Sequence, residues 1–410
     1  MINLVSRRIG PATVIALAVS TAAPAVHAGD RDHDGDDNRY VVTNLVSDTS
    51  AFGGKNIDPV LQNAWGVAFT PGASPFWVAD NATGCSTLYD GTGVPQPLVP
   101  KPLLVKIPLP GGGVTTSCKH VDPNNPPNPP PAAPTGLVWN PSAAFAVPGT
   151  KSATNPNGIA AAFIWDTEDG TISAWAGGLT PPDQAVLAVD NSGSGAVYKG
   201  LVVGVNAAHG VLLFATNFNA GKIDVFGPPK VPGGTGSDGL FTPVTHKGFT
   251  DPDIPPGFAP FGIQNIDGTL FVTYALQNSK KHDDVAGPGN GFVDIYDTDG
   301  NLLQRFASRR PLNSPWGVTR ASFAFGRFNG DILVGNFGDG QIHAFNSNGN
   351  FRGTLRDKNG KPIIIDGLWT LTRGGGRNSN SDTLYFTAGP NGETDGLFGT
   401  ITPASDNDDK

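Results

Sequence analysis

Short apolar strands and glycine-bearing turns alternate along the chain from residue 40 to residue 402. One order of strands recurs six times. A first strand carries a glycine near its start, a second strand ends in small polar residues, and a glycine-containing turn leads to a third strand. In the first copy these strands are residues 63–67, 76–81 and 87–90. Six copies of one strand order are typical of a repeat fold built from small antiparallel sheets.

The spacing of the copies indicates which repeat fold this is. We expect corresponding glycines at Gly66, Gly136, Gly200, Gly262, Gly317 and Gly367, which are 70, 64, 62, 55 and 50 residues apart. Leucine-rich and helical repeats are shorter and more regular, whereas a four-stranded propeller blade with variable loops fits this spacing. The sequence therefore predicts an all-β protein, a six-bladed β-propeller over residues 40–402. The strand at residues 40–46 is expected to pair in the last blade and close the ring.

The composition agrees with this fold class and excludes several others. The 410 residues include 55 glycines and 37 prolines, too many for a helix-rich protein, and 15% are charged, too few for a coiled coil. The formal net charge of −8 argues against nucleic acid as a partner, because phosphate binding needs a basic surface. The only long apolar run lies near the start of the chain, so we expect no membrane span in the mature protein.

The two ends of the chain differ from the repeats. Arg7 and Arg8 precede an apolar stretch at residues 12–25, and small residues surround a cleavage point after Ala28, which is typical of a signal peptide over residues 1–28. We therefore expect export to the periplasm or the extracellular space, by the general secretory or the twin-arginine route. Residues 29–39 are interpreted as an acidic disordered linker and residues 403–410 as a disordered tail.

The chain has two cysteines, Cys85 and Cys118, and both lie in its first third. Export to an oxidising compartment makes a disulfide chemically feasible. We predict that the two residues are bonded in the mature protein and that the bond anchors the proline-rich segment after Cys118. The alternative is a pair of separate buried thiols.

Several sequence strings resemble known proteins. N-A-W-G-V-A-F, F-W-V-A-D-N, G-N-G-F-V-D-I-Y-D and V-G-N-F-G-D-G-Q-I-H-A-F occur in order and resemble an uncharacterised family of secreted bacterial propeller proteins, some of which carry a C-terminal sorting tail. The pattern V-A-D-N…G…L-Y-D is similar, more distantly, to NHL repeats and to gluconolactonase-like and paraoxonase-like six-bladed hydrolases. The closer resemblance implies the fold and brings no known activity.

Polar residues collect where the repeats predict the rim of the central channel. They fall at or before first strands and at the ends of second strands, and the candidate metal ligands among them are Asn63, Asp80, Asn81, Asn217, Asn336 and Asp366. Glu168 and Asp169 occupy the corresponding place in the second copy, and Asn391 and Glu393 do so in the sixth. Oxygen ligands suit Ca2+, so calcium is the candidate cofactor. Asparagine and aspartate also favour turns for local reasons, and that interpretation stays open.

The fourth copy contains an insertion at residues 275–288. It carries His282, Asp283 and Asp284, which are candidates for a lid over the channel or for acid–base chemistry. A surface loop without a function is the alternative interpretation. No nucleophile elbow, H-E-x-x-H, Walker or C-x-x-C motif occurs in the sequence.

Two main classes of function follow, and a redox enzyme with a bound quinone is a third, disfavoured because no clamp of basic residues is visible. The first is an exported binding or scaffold module, monomeric, whose rim contacts a polysaccharide, a surface protein or a small molecule. The second is a calcium-dependent hydrolase of the lactonase or esterase kind, with its site in the central channel. We favour the first, because the hydrolases that the chain distantly resembles place a glutamate ligand at the start of an inner strand, and this sequence has none at such a position.

Overall fold

Each of the six repeats folds into its own antiparallel sheet in the computed structural model, which describes residues 38–72, 74–97, 101–114, 116–227, 241–246 and 248–405. The expected signal peptide, nearly all of the acidic linker and most of the expected tail lie outside the described residues. In chain order the strands are β1 (Tyr40–Ser47), β2 (Asn56–Ile57), β3 (Ala64–Ala68), β4 (Phe76–Asp80), β5 (Cys85–Tyr89), β6 (Val105–Lys106), β7 (Pro134–Trp139), β8 (Phe163–Thr167), β9 (Thr171–Trp175), β10 (Val186–Asp190), β11 (Tyr198–Asn206), β12 (Gly210–Asn217), β13 (Lys222–Gly227), β14 (Thr242–Pro243), β15 (Phe258–Ile266), β16 (Thr269–Leu276), β17 (Phe292–Tyr296), β18 (Leu302–Ser308), β19 (Pro315–Arg320), β20 (Ile332–Asn336), β21 (Ile342–Phe345), β22 (Phe351–Thr354), β23 (Leu368–Arg373), β24 (Leu384–Ala388) and β25 (Leu397–Pro403). Helical structure in the described residues is limited to the short turns Ser50–Phe52, Pro110–Gly112, Ser192–Ser194, Gly326–Phe328 and Pro390–Glu393.

The strand pairing confirms the predicted all-β fold, a six-bladed β-propeller. Blades one to five consist of β3–β6, β7–β10, β11–β14, β15–β18 and β19–β22. Blade six has the order β2-β1-β25-β24-β23, so it combines the first strands of the chain with the last. β1 pairs antiparallel with β25 from Tyr40–Pro403 to Ser47–Leu397, which is the predicted closure of the ring.

In every blade the pairing of the innermost strand with the second strand shifts register at the same place. At this interruption two residues of the inner strand lie opposite one residue of the second strand. Five blades place a glycine there, and it allows the neighbouring blade to approach closely. A Cβ on Gly66 would lie 2.4 Å from the Thr135 carbonyl oxygen of the next blade, and one on Gly262 would lie 2.2 Å from that of Trp316. The other members of this set are Gly136, Gly200 and Gly317.

The sixth member of the set is Thr370, so the expectation that Gly367 corresponds to the other glycines is wrong. β23 pairs with β24 at Leu368–Ala388 and Leu371–Phe386, which puts Thr370 at the interruption. Its hydroxyl donates a hydrogen bond to the Trp65 carbonyl oxygen over 2.7 Å, so a short polar side chain bridges to blade one where the other blades need glycine. Gly367 precedes the strand and adopts a left-handed backbone with φ of 64°.

The six inner strands run in one direction around the channel and begin at the same end, which we call the channel mouth. The opposite end opens into a cavity of about 340 Å³, lined mainly by apolar residues such as Val67, Leu137, Val203 and Val205. Because the polar turns predicted from the sequence adjoin the starts of the inner strands, the candidate chemistry lies at the mouth.

Candidate functional site

One ring of side chains at the channel mouth comes from the inner strands, where each blade contributes the residue just before Gly66 or its equivalent. In blade order its members are Trp65, Thr135, Lys199, Phe261, Trp316 and Trp369. The indoles of Trp65 and Trp369 stack with a centroid separation of 3.5 Å, and Trp316 meets both edge-on. Lys199 is the one ionisable member of this ring.

A second ring comes from the residue that follows, in each second strand or just after it, the partner of the inner strand's start. Its members are Asn81, Glu168, Phe218, Ala275, Phe337 and Gly389. Phe337 stacks on Trp369 at 4.0 Å, and Phe218 packs against Phe261 at 5.3 Å. The two rings therefore surround the mouth with aromatic groups and place Glu168 beside Lys199.

The ammonium group of Lys199 lies among carboxylates and aromatic rings, and the residue is only 3% exposed. Nζ forms an ion pair with Glu168, lies 3.7 Å from Oδ1 of Asp283, and stands 5.2 Å from the ring centroid of Trp65. Burial disfavours the charged form, but the negative charges of Glu168 and Asp283 outweigh it and raise the pKa of Lys199. The side chain is therefore a fixed positive charge in the site.

Two asparagine side chains connect the glutamates of blades two and six. Asn81 donates to Oε2 of Glu168 over 3.0 Å, and Asn63 donates to Oδ1 of Asn81 over 3.2 Å and to Oε2 of Glu393 over 2.8 Å. Trp369 Nε1 donates to Oδ1 of Asn63 over 2.9 Å, which fixes the orientation of that amide. Every polar atom of the Asn63 side chain is thus used to hold this bridge.

Glu393 is the group of the site best suited to move a proton at neutral pH. Burial, and then the neighbouring charge of Glu168, raise the pKa of Glu393 to about 7 against the opposing charge of Lys199. Its backbone is left-handed with φ of 69°, and that of its partner Asn63 has φ of 47°. Such conformations are costly for side-chain-bearing residues and concentrate at functional sites.

The insertion in blade four lies over this group, as its sequence position suggested. His282 Nδ1 is 2.7 Å from Oδ1 of Asp283, and this contact raises the pKa of His282 and lowers that of Asp283 to about 2. The loop is tied down by a bridge between Gln277 and Asp284 and by the Gly287 amide, which donates to Oδ1 of Asn313. It is thus part of the wall of the mouth. A role for His282, Asp283 and Asp284 as a lid or in acid–base catalysis stays a prediction.

Glu168, His282 and Asp283 are the one group of potential metal ligands found in the part of the chain that the structure describes. One ligand atom from each lies within 4.8 Å of the others. An imidazole with two carboxylates suits a first-row transition ion better than Ca2+, which prefers oxygen ligands alone.

The six rim residues predicted to bind a metal divide into two groups. Asn63 and Asn81 meet in the amide bridge. Asp80, Asn217 and Asn336 bond within their own blades, to Thr87, to Asp224, and to Asp339 and His343 respectively, while Asp366 accepts from the Asn391 amide. Asp80 and Asn81 separate because consecutive side chains along an extended chain point to opposite faces. Calcium binding by this set stays a prediction.

The rarity of glutamate in the sequence is a signal that points to the mouth. Glu168 and Glu393 are the only two glutamates in the sequence, against 33 aspartates, and the amide bridge connects them across 225 residues. All the remaining acidic side chains of this chain are aspartates. Sequence reasoning placed both glutamates in corresponding turns but overlooked this count, and it also overlooked Lys199, which sits inside an apolar strand.

No family model matches the sequence. The chain is 30% identical to the uncharacterized protein R648 of Acanthamoeba polyphaga mimivirus over 368 residues, which cover 88% of this chain and 79% of the viral protein. The chain belongs to the R648 family. A second mimivirus protein, the uncharacterized protein L690, is 28% identical over 88% of this chain and 85% of its own length. These R648-family relatives are viral, so they do not support the expected membership of a secreted bacterial family.

The similarity to solved structures is more distant. Virginiamycin B lyase from Staphylococcus aureus is 14% identical with a TM-score of 0.45, covering 89% of this chain and 99% of its own. A gluconolactonase from Xanthomonas campestris is 13% identical with a TM-score of 0.42, covering 84% and 86%. The propeller assignment for this member of the R648 family rests on its own strand pairing. Among its described residues, no helix is long and apolar enough to cross a membrane.

Proposed function

We propose that the channel mouth is the active site of an acid–base enzyme that hydrolyses a small ester or lactone. One observation carries this proposal: the only two glutamates of the chain meet there, one paired with a buried lysine and the other with a pKa of about 7. Carboxyl groups held in such different environments are a recurring feature of acid–base enzymes.

The polar residues of the mouth have separate roles in the proposed hydrolysis. Glu393, in its carboxylate form, accepts a proton from a water molecule as that water attacks the substrate carbonyl. The charge of Lys199 stabilises the negative charge that develops on the carbonyl oxygen. When the tetrahedral intermediate breaks down, the protonated Glu393 returns the proton to the departing oxygen. Glu168 holds the ammonium in place, and Asn63 holds Glu393.

The charge of the mouth limits the substrate. Glu168 and Asp283 face a single buried ammonium, and Asp169 and Asp284 lie close enough to influence the same ionisable groups. A neutral or cationic substrate is therefore favoured over a carboxylate or phosphate, because an anion would meet repulsion on several sides. Phe337, half-buried on Trp369, offers an aromatic surface to the apolar part of such a molecule.

A metal cofactor and export from the cell are two further elements of the proposal. If a metal ion takes part, Glu168, His282 and Asp283 are the residues that would hold it, and it would polarise the substrate carbonyl. Export to the periplasm or outside the cell is part of the proposal, supported by the signal-peptide pattern of residues 1–28, and a binding or scaffold role at a surface is the second candidate function.

The proposed hydrolytic activity can be tested with a panel of uncharged esters and lactones. The released acid is followed by pH titration. The rate should rise with pH through about 7 as Glu393 loses its proton, and Glu393→Gln should reduce it by at least about 100-fold. Asp267→Asn is the matched control, because Asp267 is exposed in the turn between β15 and β16 at the opposite end of the channel. Equal rates for wild type and Glu393→Gln would contradict the proposal.

The titration of Glu393 can be followed without a substrate. Protein labelled with 13C only at glutamate side-chain carboxyls gives two carboxyl signals, because the chain has two glutamates. Glu393→Gln identifies the signal of Glu393, whose midpoint should lie near pH 7. A midpoint in the ordinary glutamate range would remove its assignment as the base.

A further inference from the structure

We infer that the channel mouth is built as a cation site, that the ammonium of Lys199 fills it, and that a free alkylammonium ion binds there when this side chain is shortened. The inference rests on the proposed function only for what the cation does in hydrolysis. Its structural part concerns binding and is tested without turnover.

The groups around the ammonium come from five blades. Carboxylates of blades two and four contact it through Glu168 and Asp283, and Glu393 of blade six adds negative charge. Trp65 of blade one and Phe218 of blade three turn their rings toward it, with centroids 5.2 Å and 6.0 Å from Nζ. Carboxylates together with aromatic faces are the groups that recognise alkylammonium ions.

The lysine is not explained by packing. Three equivalent positions of the ring carry tryptophan and one carries phenylalanine, so an aromatic side chain fits this position of the fold. A buried charge is costly unless it is paired, and here the pairing groups come from other blades. The geometry is therefore arranged around a positive charge.

The same arrangement bears on metal binding. A divalent ion held by Glu168, His282 and Asp283 would share two of its ligands with the ammonium of Lys199 and would be repelled by it. In the wild-type protein the lysine thus supplies the charge that a metal ion would otherwise provide. A divalent ion is consequently not expected to bind at Glu168, His282 and Asp283 while Lys199 is present.

Thermal unfolding of Lys199→Ala in the presence of n-propylammonium tests the inference, because this ion replaces the atoms that the substitution removes. The ion should raise the melting temperature of Lys199→Ala by at least about 1 °C and leave wild type unchanged, since a ligand that binds only the folded state stabilises it. The neutral analogue n-propanol should leave both unchanged. Lys199→Met is the matched control, because its apolar side chain fills the site, and it should not respond to n-propylammonium.

Two sets of results would overturn the inference. One is an equal response, or no response, of Lys199→Ala and wild type to n-propylammonium. The other is a response of Lys199→Met to n-propylammonium as large as that of Lys199→Ala. If Lys199→Ala does not fold alone, recovery of folded protein on refolding with n-propylammonium supports the inference, and failure of that recovery overturns it. A failed hydrolysis assay would leave these results unaffected, so the two proposals are distinguishable.

Discussion

A carboxyl group in blade two occupies a position where three other blades carry threonine. Asp166 lies opposite the pairing interruption at Gly136, as Thr216, Thr273 and Thr387 do in blades three, four and six. Its Oδ1 accepts hydrogen bonds from the Thr135 hydroxyl and the Gly136 amide, while its buried Oδ2 has no partner among the described residues. Burial raises the pKa of Asp166 to about 7.

This shift makes Asp166 a source of pH-dependent instability. Unfolded chains lose the proton near the ordinary value of 3.8 and the folded protein near 7, so the stabilising contribution is complete below pH 3.8 and lost as the pH rises to about 7. Asp166→Thr should therefore be more stable than wild type at pH 8, by about 1 to 3 kcal/mol. Denaturant unfolding at pH 5 and pH 8 measures this, and an unchanged difference between variant and wild type at the two pH values would contradict it.

At the same scale, the direction of single side chains decided which predicted site residues reach the mouth. Asp80 and Asn81 are neighbours in sequence, yet the first bonds to Thr87 inside blade one and the second to Glu168 in blade two. The sequence indicated that these turns line the rim. It did not define the register of each turn, and a shift of one residue exchanges the two faces of a strand.

At the scale of elements, the predicted bond between Cys85 and Cys118 is present, with Cα atoms 5.8 Å apart. Cys85 begins β5, and Cys118 lies in the long connection from β6 to β7, where both pack with Val60 and Leu104. The bond thus attaches a proline-rich connection to the core of blade one. The predicted disulfide is confirmed, and two cysteines allow only one pairing within the chain.

Removing this bond should destabilise the protein through the unfolded chain. The double variant Cys85→Ala/Cys118→Ala should lose about 3 to 4 kcal/mol, the loop-entropy value for a 33-residue separation. Guanidinium unfolding measures the loss, and wild type unfolded with a reducing agent is the control. A thiol assay of denatured, unreduced wild type should find no free thiol. A double variant as stable as wild type would show that the bond adds nothing.

At the scale of the whole molecule, the sequence was sufficient for the architecture. Alternating strands and regular turns repeat six times. The extra strand before the first repeat, β1, could then pair only in the last blade, where it lies beside β25. Gly367 was misplaced because its Gly-Leu pair matches Gly136-Leu137 and Gly200-Leu201, whereas Thr370 holds the equivalent position in β23. What the sequence could not provide was the assembly of the mouth, since it joins residues from blades far apart in the chain.

Ring closure through β1 should be essential to stability. This strand buries Tyr40, Leu45 and Val46, each worth about 1.5 to 3 kcal/mol, and forms most of one ladder in blade six. A chain of residues 48–405 should therefore lose cooperative thermal unfolding, while one of residues 38–405 keeps it. Adding a synthetic peptide of residues 38–47 should restore the transition. Cooperative unfolding of the shorter chain without the peptide would contradict the role of β1.

The mouth takes Asn63 from blade one, Glu168 from blade two, Lys199 from blade three, His282 from blade four and Glu393 from blade six. The hydrogen bond between Asn63 and Glu393 joins residues 330 positions apart. A ribosome must therefore synthesise nearly the whole propeller before these groups can meet, and a nascent chain that has released five blades still lacks Glu393. The proposed hydrolysis would therefore begin only at the end of the protein's own synthesis.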